Sequence, residues 1–75
     1  SFNEGITNNV LEISSNEKIE TVHNNSNLIE SYYSKEDQKW EYKLVFKQKK
    51  EMDLFLNEIS KESKVITYKT SSVIN

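Results

Sequence analysis

The side chains in this sequence that could carry out chemistry are few, and they begin with one histidine. His23 is the only histidine of the chain, and Ser26 follows it closely. A metal site needs three or four convergent ligands, and a catalytic histidine needs a nucleophile and a group that orients its ring. No such set surrounds His23, and no nucleophile-elbow pattern surrounds Ser26. We therefore expect His23 to lie at the solvated end of a strand.

Two pairs of acidic residues are the next candidates for catalysis. Glu36 is adjacent to Asp37, and Glu51 lies two residues before Asp53. A glycosidase places two carboxylates across a cleft, and a chain of 75 residues with one core has little room for a cleft. A turn explains the first pair, and the first turn of a helix explains the second, because acids favour helix N termini. We therefore expect that the chain has no catalytic residue and is not an enzyme.

Missing residue types exclude further chemistry. The chain has no Cys, and Gly5 is its only glycine. Without cysteine there is no disulfide, thiolate nucleophile or thiolate-bound metal. A single glycine cannot form the Gly-rich loop that binds nucleotide phosphates. The sequence therefore predicts neither a cofactor nor a metal site.

The basic residues are all lysines, since the chain has ten basic residues and no Arg, and its net charge is −2. Arg is the residue that most often reads guanine and phosphate, so the composition argues against a nucleic-acid partner. Six lysines nevertheless surround a run of aromatic residues: Lys35, Lys39, Lys43, Lys47, Lys49 and Lys50. Alternation along a strand would put the aromatic and basic side chains on opposite faces. We interpret the lysines as a solvated sheet face that protects an edge.

Adjacent tyrosines provide the main positive indication of function. If Tyr32 and Tyr33 lie in a strand, they face opposite ways, so one of them faces the surface unless a partner covers it. An exposed aromatic beside an aliphatic residue can begin a protein interface. The predicted interface residues are Tyr32, Tyr33, Val45, Lys43 and Lys47.

In the first half of the chain, short apolar runs predict strands. Residues 10–14 read as one strand, and residues 19–23 as a second that pairs with it in a hairpin, although Ile19 and Val22 do not alternate cleanly. Residues 27–34 are compatible with a helix that Asn27 would cap and with a strand rich in tyrosine. We favour the strand, because the turn at 35–38 would lead it directly into the next element.

The second half has the clearest periodicity. Residues 39–48 alternate between large apolar and charged side chains, which is typical of a strand with one buried face. Residues 49–63 have apolar residues at helical spacing, with Leu54 widening the apolar stripe. Residues 64–70 are β-branched and aromatic and predict a final strand.

Together these elements predict an α+β fold. We expect a small two-layer sandwich, with a mainly antiparallel sheet of four or five strands and a helix in the C-terminal half; a second short helix is compatible with the sequence. The strand–helix–strand order resembles half of a ferredoxin-like fold. We expect residues 1–75 to be one domain of a longer protein, with loose termini at 1–8 and 71–75. No apolar run approaches the ~18 residues of a membrane-spanning helix.

These features favour a non-catalytic interaction or assembly domain. Similar sandwiches occur in the soluble parts of membrane machines such as pilus and secretion assemblies, an analogy at the level of fold alone. The expected partner is another protein or a second copy of the chain. An alternative is a nucleic-acid-associated module, or a small phage-type inhibitor of a nucleic-acid enzyme, which the lysine-bearing strand or the acidic first third of the chain would support.

Overall fold

The described part of the chain, residues 7–62 and 64–74 of a computed structural model, forms a sheet with two helices. Its elements are β1 (Thr7–Ser15), α1 (Glu20–His23), β2 (Leu28–Ser34), β3 (Lys39–Phe46), α2 (Lys49–Ile59) and β4 (Val65–Ile74). The four strands are antiparallel to their neighbours, in the order β2-β3-β1-β4. The predicted α+β class and antiparallel sheet are confirmed, with four strands and a short second helix.

The path of the chain interleaves two strand–helix–strand units. Strands β1 and β2 are both antiparallel to β3, so they run parallel to each other with β3 between them. In the same way, β3 and β4 run parallel to each other with β1 between them. Each helix therefore connects two parallel strands that are one strand apart. As a result, β1 and β3 lie at the centre of the sheet, and β2 and β4 form its edges.

The core lies between the helices and one face of the central strands. In β3, the alternation predicted from sequence puts Tyr42, Leu44 and Phe46 in the core, where each is at most 3% exposed. In β1, Leu11 and Ile13 lie beside them. These large residues form one continuous cluster, which is the main source of folding free energy in a domain without disulfides.

Helix α2 covers β1 and β3 with part of its predicted apolar stripe. Met52 and Ile59 are buried, and Phe55 and Leu56 are half-buried against the same cluster. Leu54 does not widen this stripe, because its side chain is 59% exposed. The helix also ends at Ile59, before the predicted end at residue 63. Ser63 itself lies outside the described residues.

The predicted strand at 19–23 is wrong, because residues 20–23 form the short helix α1. Ile19 and Val22 are both buried in the core. A spacing of three residues places two side chains on the same side of a helical turn, and the same spacing would place them on opposite faces of a strand. The imperfect alternation at these positions was the sign of this turn. There is accordingly no hairpin between residues 10 and 23.

Residues 27–34 and the last part of the chain are both strands. The strand interpretation of 27–34 is confirmed by β2, and the turn at 35–38 contains Gln38 in a left-handed conformation with φ 55°. Strand β4 continues past Thr70 to Ile74, which pairs with Thr7. The boundary predicted after Thr70 was therefore too early. Residues 1–6 and 75, which belong to the expected loose termini, lie outside the described residues.

Candidate protein-interaction face

The sheet face that points away from the helices is the candidate site, and we call it the open face. Leu11, Ile13 and Leu44 point from the central strands into the core, so the residues that alternate with them point the other way. Registers across the sheet then assign the remaining positions. Among the residues on the open face are Val10, Glu12, Ser14, Glu30, Tyr32, Glu41, Lys43, Val45, Lys69, Ser71 and Val73.

A row of charged residues with alternating sign crosses the open face, and we call it the charge row. Its members are direct neighbours in register: Glu30 lies opposite Lys43, Lys43 opposite Glu12, and Glu12 opposite Lys69. One residue of the row comes from each strand. The ion pairs of the described residues all lie elsewhere, so the attraction within the row acts at longer range than a close ion pair. Opposed side chains of opposite charge stabilise a sheet by about 0.2–1 kcal/mol per pair. The row contains two acids and two lysines, so it presents no net charge.

Next to the charge row lies a shallow polar depression. Its volume is about 60 Å³, and it is lined by Glu12, Glu30, Tyr32, Glu41, Tyr42 and Lys43. The Ser14 hydroxyl donates a hydrogen bond of 2.5 Å to Oε1 of Glu41 and holds that carboxylate. A space of this size could receive a single side chain or a few water molecules. It is far smaller than the ~300–1,000 Å³ of small-molecule sites.

An apolar pair lies on the side of the charge row away from this depression. Val45 of β3 is opposite Val10 of β1, and Val10 is only 8% exposed although no helix of the described residues covers it. Val45 is half-buried. Tyr32 lies on the edge strand β2, on the same side of the row as the depression, and is 52% exposed. The open face therefore combines charged, aromatic and aliphatic groups within a few residues.

Tyr33 lies on the opposite side of the sheet from the other predicted interface residues. It pairs with Trp40, and their ring centroids are 5.5 Å apart in an edge-to-face arrangement. Trp40 in turn stacks against Tyr42 at 6.3 Å, and the Lys18 ammonium lies 6.0 Å from the Trp40 ring. These contacts tie Tyr33 to the edge of the core, although its side chain is still 45% exposed.

Lys47 is also separate from the open-face group. It follows the last residue of β3, in the bend before α2, and its side chain is exposed. The structure thus brings together three of the five predicted interface residues, Tyr32, Lys43 and Val45. Sequence reasoning missed the acids that surround Lys43, because Glu12 and Glu30 become its neighbours only through the sheet order.

His23 lies at the end of α1 and not at a strand end. It is half-buried, and its ring is edge-to-face with Tyr42 at 6.4 Å between centroids. Its Nδ1 atom is buried and has no hydrogen-bond partner among the described residues. No group of three or more His, Asp or Glu side chains within residues 7–62 and 64–74 could hold a metal ion.

The acidic pairs have the local contacts that a turn and a helix start require. The backbone N–H of Asp37 donates to the Ser34 hydroxyl at 3.2 Å in the turn after β2. Lys49 Nζ is 2.8 Å from Asp53 Oδ2 on the surface of α2.

Among the residues described, neither helix has the length and apolar character needed to cross a membrane.

These observations describe a small sheet with one chemically mixed face that neither helix of the described residues covers. Comparison of the chain with protein-family models, with curated proteins and with solved structures gave no match.

Proposed function

We propose that this chain is a non-catalytic protein–protein interaction or assembly domain of a larger protein, whether or not that protein is anchored in a membrane. The observation that carries this proposal is the open face, which places an exposed Tyr32, the half-buried Val45 and the charge row on one side of the sheet. Interfaces between proteins typically combine aromatic and aliphatic contacts with polar groups at the rim. The depression on this face is too small for a typical small-molecule ligand or a catalytic cleft.

The fold we infer for this domain is ferredoxin-like. Its support is the chain order β-α-β-β-α-β, together with a sheet in which each pair of parallel strands is separated by one strand of the other unit. Such a sheet carries both helices on one side and leaves the other side free for contact. The fold itself is compatible with many activities, so the function rests on the surface and not on the topology.

Charge favours a protein partner over a nucleic acid. A phosphate backbone is attracted by a continuous cationic surface, because binding depends on the number of phosphates that are neutralised. On the open face, Lys43 lies between Glu12 and Glu30, and Lys69 lies beyond Glu12. The alternating charges would repel a polyanion at every second position. They suit a protein surface whose own charges alternate in the opposite order.

Site-specific photo-crosslinking in cells that make the full protein tests this proposal. A photoreactive amino acid replaces Tyr32 on the open face and, as the matched control, Leu54 on the outer surface of α2, which is similarly exposed. We expect a discrete protein adduct at position 32 and none at position 54. The protein in the adduct is then identified, purified, and titrated with the unlabelled chain.

Two variants decide whether the titrated contact is the proposed one. We expect Val45→Lys and Tyr32→Ser each to weaken binding at least about tenfold, because a buried interface position rarely tolerates a charge or the loss of an aromatic anchor. Leu54→Lys should leave binding unchanged. Equal binding by all variants, no adduct at position 32, or tight salt-sensitive binding to a mixed-sequence oligonucleotide would each overturn the proposal.

A further inference from the structure

The outer edge of β4 is a second surface that no other strand or helix of the described residues covers, and it is longer and more regular than the edge formed by β2. Strand β4 pairs with β1 on one side and lies at the end of the sheet. Such an edge exposes a row of unpaired N–H and C=O groups that can pair with another strand. Proteins protect edges with short strands, proline, charges or bulges. The β2 edge has a bulge between Leu28 and Glu30.

Strand β4 has little of this protection. It is the longest strand, its sequence contains no proline, and Lys69 is its only charged residue. Its pairing with β1 has one register shift, between Ser14 and Ser15 near the start of β4, and is regular from Thr67 to Ile74. Three large apolar side chains are exposed on it: Tyr68 at 56%, Val73 at 45% and Ile74 at 74%. An apolar, regular and open edge of this kind needs a partner strand or risks aggregation.

The positions of these residues are symmetric about Ser71. On the helix side of the sheet, Tyr68 lies three residues before Ser71 and Ile74 lies three residues after it. On the open face, Lys69 lies two residues before Ser71 and Val73 two residues after it. In an antiparallel pair related by a two-fold axis, residues equally far from the axis lie opposite each other and point to the same face.

We propose that β4 pairs antiparallel with β4 of a second copy of this chain, about a two-fold axis at Ser71. Each Tyr68 then lies opposite Ile74 of the other copy, and each Lys69 opposite Val73. All three exposed apolar residues gain a cross-strand partner. The Lys69 stem covers Val73 while its ammonium stays in water, and the two lysines are not opposed. An axis at Lys69 itself would place these like charges directly opposite each other.

The result is a continuous eight-stranded sheet with the helices of both copies on the same side. Tyr68 also lines an open groove of about 310 Å³ with Asp53, Leu56, Asn57 and Ser60 of α2 and the turn after it. Ile74 of the second copy would enter beside this groove. Pairing along this edge would bury less surface than the ~1,200–2,000 Å² that a stable interface buries. The dimer is therefore weak and depends on protein concentration.

This inference does not depend on the proposed function, because it uses the edge of the sheet and not Tyr32 or Val45. Sedimentation velocity of the full chain from about 10 µM to about 1 mM is expected to show a reversible monomer–dimer equilibrium. Ile74→Glu should weaken the dimer at least about tenfold, because it places a carboxylate against the electron-rich face of Tyr68 and near Asp53 of the same groove. The control Leu54→Glu makes the same change at another exposed apolar position and should leave the dimer intact.

Single cysteines test the register directly, since the chain has no cysteine of its own. With the axis at Ser71, the two Ser71→Cys side chains lie opposite each other, at the ~4.5–5.5 Å between Cα atoms that a disulfide accepts. Two Thr70→Cys side chains would be diagonal neighbours about 7–8 Å apart, beyond easy disulfide reach. We expect mild oxidation to produce a covalent dimer of Ser71→Cys and not of Thr70→Cys.

Three results would overturn the proposal. One is a monomer at every concentration, which would leave the edge to another partner or to none. Another is an Ile74→Glu dimer as stable as that of the unchanged chain. The third is a covalent dimer that forms from Thr70→Cys as fast as from Ser71→Cys. None of these results bears on crosslinking through Tyr32, so the dimer can be rejected while the proposed function stands.

Discussion

The Tyr42 hydroxyl accepts a hydrogen bond of 3.0 Å from the backbone N–H of Ile19, and both residues are buried. This bond joins the centre of β3 to the residue that precedes α1. The first N–H groups of a helix have no partner within the helix, and α1 begins without a side-chain cap. The phenol of a core residue therefore satisfies a donor that burial would otherwise leave unpaired, and it fixes where α1 meets the sheet.

We predict that Tyr42→Phe lowers the free energy of unfolding by about 1–3 kcal/mol, the usual cost of a buried polar group that loses its partner. The ring would still fill its place in the core, so the loss reports the hydrogen bond. Urea unfolding followed by the fluorescence of Trp40 measures it. As a control, Tyr33→Phe removes a hydroxyl from a side chain that is 45% exposed and should change stability by less than about 0.5 kcal/mol. Equal losses in the two variants would contradict the role of the bond.

Because the Tyr42 phenol is buried, we predict that the free energy of unfolding falls in alkali. Burial raises the pKa of Tyr42 above its ordinary value of 10.0, the Ile19 N–H opposes this rise, and the nearby charge of Glu20 adds to it. The folded state then holds the phenolic proton more tightly than the unfolded state. Stability is fully present below pH 10.0 and falls as the pH rises toward the folded-state pKa, by at most about 1.4 kcal/mol per pH unit. Unfolding free energies between pH 9 and 11 should fall less steeply for Tyr42→Phe than for the unchanged chain.

Periodicity in the sequence was enough to predict the elements whose faces differ strongly. In β3, the alternation from Trp40 to Phe46 matched a strand, and in α2 the apolar residues from Met52 to Ile59 recurred at helical spacing. The adjacent residues Tyr32 and Tyr33 were also expected to face opposite ways, as they do. These predictions succeeded because the repeat of a strand or helix acts on neighbouring residues, without reference to the rest of the fold.

Features that depend on distant contacts could not be predicted in this way. Helix α1 is only four residues long, too short to form without tertiary packing, and its bond to Tyr42 spans 23 residues of sequence. The end of β4 is set by its pairing with Thr7 at the other end of the described chain. The charge row likewise required the order of all four strands. Each of these needed a partner that local pattern does not identify.

Leu44 tests the core, because it is fully buried at the centre of the hydrophobic cluster. We predict that Leu44→Ala lowers the free energy of unfolding by about 2–5 kcal/mol, through lost apolar contact and the cavity left behind. A domain of this size has little stability to lose, so this variant can be largely unfolded. Ile13→Val, with an expected loss of about 0.5–1.5 kcal/mol, keeps the measurement possible. Leu54→Ala, at 59% exposure, should change stability by less than about 0.5 kcal/mol.

A charge reversal in the charge row tests whether Lys43 stabilises the sheet through its charge or through the packing of its apolar stem. Lys43 lies between Glu12 and Glu30, so Lys43→Glu would replace two favourable neighbours with two like charges. We predict a loss of roughly 1–2 kcal/mol at low ionic strength, from the usual size of cross-strand charge pairs. Salt at about 0.5 M should recover a large part of this loss, because it screens charges beyond a few ångströms.

Lys47→Glu is the matched control for this change. Lys47 is exposed and lies beyond the paired residues of β3, so the same reversal of charge should cost less than about 0.5 kcal/mol and respond weakly to salt. Urea unfolding of both variants at about 10 mM and about 0.5 M sodium chloride makes the comparison. A loss in Lys43→Glu that salt does not change would mean that the lysine acts through the packing of its apolar stem. In that case the alternation of charge across the four strands would have no part in holding the sheet together.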